Sequence, residues 1–235
     1  MAKADRFRAL HDGPRPLVLP NAWDAASARA FAALPGCEAV ATTSAGVARS
    51  LGYEDGEQTP VDEMLGAVAA IARSVDVPAT ADLEAGYGDA VRTARLAWEA
   101  GVVGANLEDS RGGTLVAADE QAGFLRAVRT AVPELFVNAR VDVFVHADGN
   151  VDEAVERANL YLTAGAGCAY PILAPRATWS ELATRIRGPV NVLVGPGDVP
   201  LEEIARLGIR RVSFGSGLAN AALAEAARLV RAAIP

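Results

Sequence analysis

Val77–Glu84 (VPATADLE) is followed by Ala90–Ala100 (AVRTARLAWEA) and then by Gly104–Glu108 (GANLE). The first and last pieces are short and apolar and end in acids, which reads as strands. The middle piece has a helical period. Strand, helix and strand in this order make a unit of parallel sheet. The same alternation extends in both directions. Towards the amino terminus lie strands at Pro16–Pro20 and Glu38–Ser44, with helices at Ala25–Leu34 and Val61–Ser74. Beyond Glu108 the expected strands are Leu135–Phe144, Cys168–Ile172, Val190–Val194 and Arg211–Gly215. The helices expected there are Ala118–Ala131, Val151–Ala164, Thr178–Arg187, Pro200–Leu207 and Leu218–Ala233. Eight such pairs are the count of a single (β/α)8 TIM barrel, whereas a doubly wound open sheet more often stops at five or six strands. Gly36, Gly101, Gly165 and Gly208 each follow a helical stretch, where a left-handed residue closes a helix. No Pro/Ser-rich linker intervenes, so residues 1–235 are read as one barrel domain.

Composition narrows the function. The 235 residues carry a formal net charge of −7, which argues against a nucleic-acid backbone as partner. The opening MAKADRFRAL lacks the apolar run of a signal peptide, and no apolar run approaches membrane-spanning length. Cys37 and Cys168 suit a reduced pair of thiols. A soluble cytoplasmic protein is expected. The single lysine, Lys3, precedes the first strand and is expected to be mobile. Schiff-base chemistry, which needs a buried lysine amine, is therefore not expected.

In a barrel the chemistry gathers at the carboxyl ends of the strands. The second strand closes on Thr42, Thr43 and Ser44, the third on Asp82 and Glu84, and the fourth on Glu108 and Asp109. The fifth carries Asn138, Arg140 and Asp142. Asp82 and Glu84, two residues apart on a strand, are expected to face the same way, which is costly without a cation between them. Together with Glu108 they form a candidate metal site of hard oxygen ligands, suited to Mg2+. The alternative is rim carboxylates paired with arginines. Ser44, Ala45 and Gly46 offer a hydroxyl and backbone amides to a carboxylate, or form a plain turn. Arg140, inside an apolar strand, suits two-pronged contact with a carboxylate or phosphate, or pairs with an acid such as Glu108. Trp23 and Asp24 are placed to wall the site, Asp24 equally to cap a helix. His11 and His146 read as surface residues, and the two cysteines fall at strand starts, away from the chemistry. Gly195-Pro196-Gly197 and Gly215-Ser216-Gly217 leave open a sugar-phosphate site.

The segments PNAWDAASAR (from Pro20), TTSAGVARSLGYEDG (from Thr42), ADLEAGYGD (from Ala81), NLEDS (from Asn106) and NARVD (from Asn138) resemble the isocitrate lyase/phosphoenolpyruvate mutase superfamily. The likeness runs from about residue 6 to 220, with the motifs in the family's order. It implies a Mg2+-dependent (Mn2+ possible as a substitute) homo-oligomeric enzyme of small carboxylates, making or breaking C–C or P–C bonds through a metal-stabilised enolate. By the same resemblance Ser44 and Gly46 hold substrate carboxylate, and Asp55 is the acid near substrate and a candidate for proton transfer or water activation. Asp82, Glu84 and Glu108 match metal-site acids, while Arg140 and Asn191 match substrate-binding residues. The leading expectation is a C–C lyase or hydrolase of a small 2-oxo or 2-hydroxy dicarboxylate, and the alternative a phosphonopyruvate-type mutase or hydrolase. Ser110–Gln121 (SRGGTLVAADEQ) has neither the lysine nor the cysteine of the family's gating loop, and Ile172 stands where methylisocitrate lyases have a glutamate. Cleavage of isocitrate or 2-methylisocitrate is therefore not expected.

Overall fold

The structure, a computed structural model, describes residues 2–146, 148–195, 197 and 200–234. It opens with helix α1 (Lys3–Leu10), then β1 (Leu17–Leu19), β2 (Asn21–Ala22) and α2 (Ala25–Ala32). Next come β3 (Val40–Thr42), α3 (Ser44–Leu51), α4 (Val61–Arg73), β4 (Ala79–Asp82), α5 (Ala90–Glu99) and β5 (Gly104–Glu108). A hairpin of β6 (Ser110–Arg111) and β7 (Thr114–Leu115) leads to α6 (Ala118–Ala131), β8 (Phe136–Val141), α7 (Val143–His146) and α8 (Val151–Thr163). The chain continues through β9 (Cys168–Pro171), α9 (Trp179–Arg185), β10 (Asn191–Leu193), α10 (Leu201–Arg206), β11 (Arg211–Ser213) and α11 (Gly217–Arg231).

Pro20 is where the ring closes. It has no N–H to continue a ladder, so the first expected strand is divided in two. β1 pairs in parallel with β11, and β2 pairs in parallel with β3. One parallel run has the order β2-β3-β4-β5-β8-β9 and the other β1-β11-β10. A parallel bridge between Ala169 and Val190 joins them on the far side. With β1 and β2 as one stave, the eight staves of the expected barrel are present.

Helix caps follow the sequence. Asp24 accepts the Ser27 amide and closes a capping box on α2, so its role is the cap. Between sheet and helices the core is aliphatic and alanine-rich, with Val68, Ile71, Ala94, Ala97, Leu107, Leu125 and Ala158 buried. Small residues on both layers let helices approach the staves closely, which explains how so few aromatics suffice.

Three expectations are corrected. Lys3 is not mobile: it lies in α1, and its Nζ donates to the Val75 carbonyl at 3.0 Å. His11 is not on the surface: it is 2% exposed, stacked on Phe136 at 4.1 Å, and its Nδ1 donates to the Phe7 carbonyl. Burial lowers its pKa to about 3, so it is a neutral part of a small core that α1 builds with Phe7, Leu17, Leu19 and Phe136. The strand expected to reach Phe144 stops at Val141, because the chain turns at Asp142 into α7. The eighth helix forms, yet every described residue from Asn220 onward is exposed, including Leu223, Leu229, Val230 and Ile234. A groove of about 410 Å3 is lined by Val18, Val194, Leu201, Ile204, Val212 and Phe214.

Candidate active site

β5 and β8 run in register, with Glu108 opposite Arg140. That pairing places the two side chains side by side at the carboxyl ends of the staves, and Arg140 Nη1 lies 2.6 Å from Glu108 Oε2. Two residues on, Asp142 accepts from Arg140 Nε at 2.6 Å and Nη2 at 3.0 Å. Asp142 also accepts the Ser110 hydroxyl at 2.6 Å, which ties the β6–β7 hairpin to β8. Both readings of Arg140 therefore meet here. Its fork is spent on Asp142, and the edge carrying Nη1 faces Glu108. Asp109 does not join them. It is fully buried and accepts from Tyr161, Arg157 and the Asp142 amide.

Glu84 lies beyond the end of β4, in the left-handed region at φ 50°. Glu57 and Tyr87 share that conformation, at 60° and 57°. These three are bound to one another. The Glu57 amide donates to Glu84 Oε2 at 2.6 Å, the Tyr87 hydroxyl donates to Glu84 Oε1 at 2.6 Å, and the Tyr87 amide donates to a Glu57 carboxylate oxygen. Three non-glycine residues in a disfavoured conformation, interlocked at a strand end, are backbone strain held in place at a functional surface. The sequence carried no sign of Glu57 or Tyr87, because positive φ at a non-glycine residue has no compositional signal.

Ser44 begins α3 instead of ending a strand. Its hydroxyl donates to Asp82 Oδ2 at 2.9 Å, and its amide reaches the same oxygen at 3.3 Å. The Gly46 amide is engaged by the Thr43 hydroxyl, which caps α3. A Cβ on Gly46 would lie 2.5 Å from the Thr43 methyl and 3.0 Å from Trp23 Cβ, so close packing demands glycine there. Trp23 packs edge-on to Phe31 and against Gly46. Ala45 is half-buried in the first turn of α3. Asn191 is buried at the start of β10, opposite Arg211, and its amide exchanges hydrogen bonds with the Ser213 hydroxyl. Of the anticipated residues, Ser44, Asp55, Glu84, Glu108 and Arg140 line one cavity of about 500 Å3. Trp23, Ala45, Gly46, Asp82 and Asn191 are not on its lining, although Asp82 meets it through Ser44. Glu57, Gln58, Ser110, Arg111 and His146 line it without having been anticipated. His146 is exposed, as expected, and stands at the cavity's rim with its Nε2 4.0 Å from Asp142 Oδ2.

Crowded acids raise each other's proton affinity. Burial, with Asp82 and Asp55 nearby, pushes Glu84 up to about 7, against the hydrogen bonds from Tyr87 and Glu57. Burial, reinforced by Asp142, Asp82 and Glu84, holds Glu108 well above the usual carboxylate range even with Arg140 beside it. Among the described residues no three His, Cys, Asp or Glu side chains converge to enclose an ion unaided. The donor chemistry nevertheless fits Mg2+, which takes oxygen ligands and keeps several waters, so one or two carboxylates suffice. A divalent ion would also relieve the repulsion from Asp82 and Asp55 that adds to the effect of burial on Glu84.

The amide-rich phosphate reading finds no support at the eighth stave. The Phe214 and Gly215 amides both donate to Asn21 Oδ1, at 2.8 and 3.1 Å. Pro196, in the other glycine pair, lies outside the described residues.

Residues 7–234 match a family model described as phosphoenolpyruvate phosphomutase. An uncharacterized protein of Mycobacterium tuberculosis is 37% identical, over 96% of this chain and 88% of its own length. The 2-methylisocitrate lyase of Bacillus subtilis is 31% identical, over 80% of this chain and 65% of its own. A crystal structure from Burkholderia cenocepacia J2315, provisionally assigned as a phosphonomutase, superposes with a TM-score of 0.92 at 38% identity, covering 97% of this chain and 99% of that one.

Proposed function

The chain belongs to the phosphoenolpyruvate phosphomutase family, and from that premise we propose that it is a Mg2+-dependent C–C bond lyase or hydrolase of a small 2-oxo or 2-hydroxy dicarboxylate, acting through an enolate. One observation carries this reading: Glu84 and Glu108 line a single cavity with Arg140, and Asp82 stands behind Ser44 at its edge. Asp82, Glu84 and Glu108 would hold the ion, with Mn2+ as a possible substitute. Bound there, the cation supplies Lewis-acid polarisation of the substrate's 2-oxo or 2-hydroxy oxygen.

The chain's own groups do the rest. Arg140, fixed from behind by Asp142, directs its Nη1 edge to the substrate carboxylate that displaces Glu108 from it. Ser44 orients Asp82. Asp55, exposed on the loop before α4, is the candidate for proton transfer or water activation. Ala45 and Gly46 form the first turn of α3, and Trp23 packs against it at Gly46. Asn191 supports the barrel interior. The hairpin at Ser110–Leu115 carries no thiol or amine, which favours substrates that need no acid from that side.

The test is turnover of a panel of small dicarboxylates with Mg2+, repeated after exhaustive EDTA. A P–C mutase or hydrolase reading is favoured by the superposition on the Burkholderia protein, and phosphate release from phosphonopyruvate distinguishes it. A homo-oligomer is also proposed: the exposed apolar side of α11 and the groove at Val18, Val212 and Phe214 are complementary surfaces for a second copy. Light scattering that returns a monomer would remove that part. The free thiols of Cys37 and Cys168 support a cytoplasmic location.

A further inference from the structure

Arg111 stands between two cavities. It lines the site cavity, and it also lines an adjoining one of about 410 Å3 shared with Glu57, Ala85, Gly88, Glu120 and Phe124. Its guanidinium carbon lies 5.1 Å from the centre of the Phe124 ring, and Nη1 is paired with Glu120. The side chains of that pair are 39% and 57% exposed, so water competes for both charges and the pair is easily exchanged. Arg140 differs. It is largely buried and holds Glu108 and Asp142 with three of its nitrogens.

The charge on the cavity makes the difference matter. Asp55, Glu57, Glu84 and Glu108 all line it, and a dicarboxylate would bring two further negative charges. In the proposed reading the first carboxylate is met by the cation and Arg140. The second would face four acids, with Ser44, Gln58, Ser110 and His146 the other polar side chains on the lining, unless a cation were supplied from the rim. His146 is directed at Asp142, whereas Arg111 is carried by a hairpin whose tip, Gly112-Gly113, turns at φ 55° and 77° with open space around both residues.

We propose that Arg111 is the specificity-determining residue for the substrate's distal carboxylate, leaving Glu120 to bind it. The inference rests on the dicarboxylate reading above and names the group that would make such a substrate acceptable. A planar two-pronged donor matches a carboxylate, and the acid that Arg111 would give up, Glu120, is solvent-exposed.

The test uses Mg2+-loaded protein and three probes: oxalate, malate and lactate, the last two differing by the second carboxylate. Calorimetry on the parent should show malate bound about tenfold or more tighter than lactate, the scale of one charge-assisted contact. Arg111→Ala should bring malate down to the affinity of lactate while oxalate binds as in the parent, and Arg111→Lys should restore part of the difference. Glu120→Gln, which releases Arg111, should tighten malate a few-fold. An unchanged malate-to-lactate ratio in Arg111→Ala, with oxalate still bound, overturns the role of Arg111 and leaves the functional reading standing. Oxalate failing to bind the parent overturns the functional reading, and this inference with it.

Discussion

The Ser44 hydroxyl lies 2.9 Å from Asp82 Oδ2, joining the first residue of α3 to the last residue of β4. The Ser44 amide shares that oxygen, and Asp82 Oδ1 is within 3.5 Å of the Asn106 amide nitrogen. Asp82 thus anchors the first turn of α3, which Thr43 caps, and stands at the edge of the site with the same carboxylate. The serine that the family resemblance assigns to substrate is, in this structure, the donor that orients an acid.

This double duty separates two substitutions. Asp82→Asn retains an acceptor oxygen for Ser44 but removes the charge, whereas Asp82→Ala removes both. The midpoint of thermal unfolding without metal should change little in the asparagine variant. In the alanine variant it should fall, because the hydrogen bonds that Asp82 accepts from the Ser44 hydroxyl and amide are lost, at a cost of about 1 kcal/mol. Both should lose Mg2+ affinity and turnover. An asparagine variant that binds Mg2+ as the parent does would show that Asp82 does not serve the ion.

Arg140→Lys should behave almost as badly as Arg140→Ala. Lysine keeps the charge, yet it cannot span Glu108 and both oxygens of Asp142 together. Breaking a buried ion pair by removing one partner costs about 3–5 kcal/mol, so urea unfolding should show a loss of that order. A lysine variant with parental stability and activity would reduce Arg140 to a simple counter-charge.

Glu84 makes stability fall with rising pH. Its pKa is near 7 in the folded chain and near 4.5 when unfolded, so the folded state binds the proton more tightly. That contribution is complete below about pH 4.5 and is lost as the pH rises through 7. The full loss is about 3 kcal/mol at 1.36 kcal/mol per unit. Glu84→Gln removes the dependence, so the stability of the variant relative to the parent should rise by about that amount from pH 4.5 to 8 in metal-free buffer. The one hydrogen bond that a glutamine nitrogen cannot accept should appear as a constant offset. A difference flat across this range would contradict the assignment.

The hairpin sets what should not react. Ser110 is bound to Asp142, Arg111 to Glu120, and neither a thiol nor an amine stands on that side of the cavity. Ile172, half-buried just after β9, offers no polar partner to a third carboxylate. Isocitrate and 2-methylisocitrate should give no glyoxylate or pyruvate under conditions where a smaller dicarboxylate turns over. Efficient glyoxylate release from isocitrate would refute this.

The barrel was legible because its signal is repeated: each of eight staves is a short apolar run followed by a helical period. The acids at the ends of β4 and β5 were legible for the same reason, since chain position in a barrel fixes depth. Other features depend on contacts between distant segments and leave no mark on local pattern. His11 is polar, so it reads as exposed, and only the Phe7 and Phe136 rings explain its burial. Glu57 reaches the site through a left-handed backbone that its neighbours hold. Ser44 was read as the end of a strand because Glu38–Ser44 is rich in β-branched residues, and the Thr43 cap that starts α3 was not seen in it. Helix α11 forms where its pattern predicts, but its exposure was not legible, because amphipathicity shows that a face must be covered without showing by what.

The central claim is that a divalent ion held by Asp82, Glu84 and Glu108 enables C–C cleavage of a small dicarboxylate. Its most direct test is turnover of oxaloacetate, dimethylmalate and phosphonopyruvate, followed by release of oxalate, pyruvate and phosphate, before and after exhaustive EDTA and again on adding Mg2+. The account predicts cleavage of a dicarboxylate that stops with EDTA and returns with Mg2+. Cleavage that continues undiminished after EDTA, or phosphate released from phosphonopyruvate with no dicarboxylate cleaved, would contradict it.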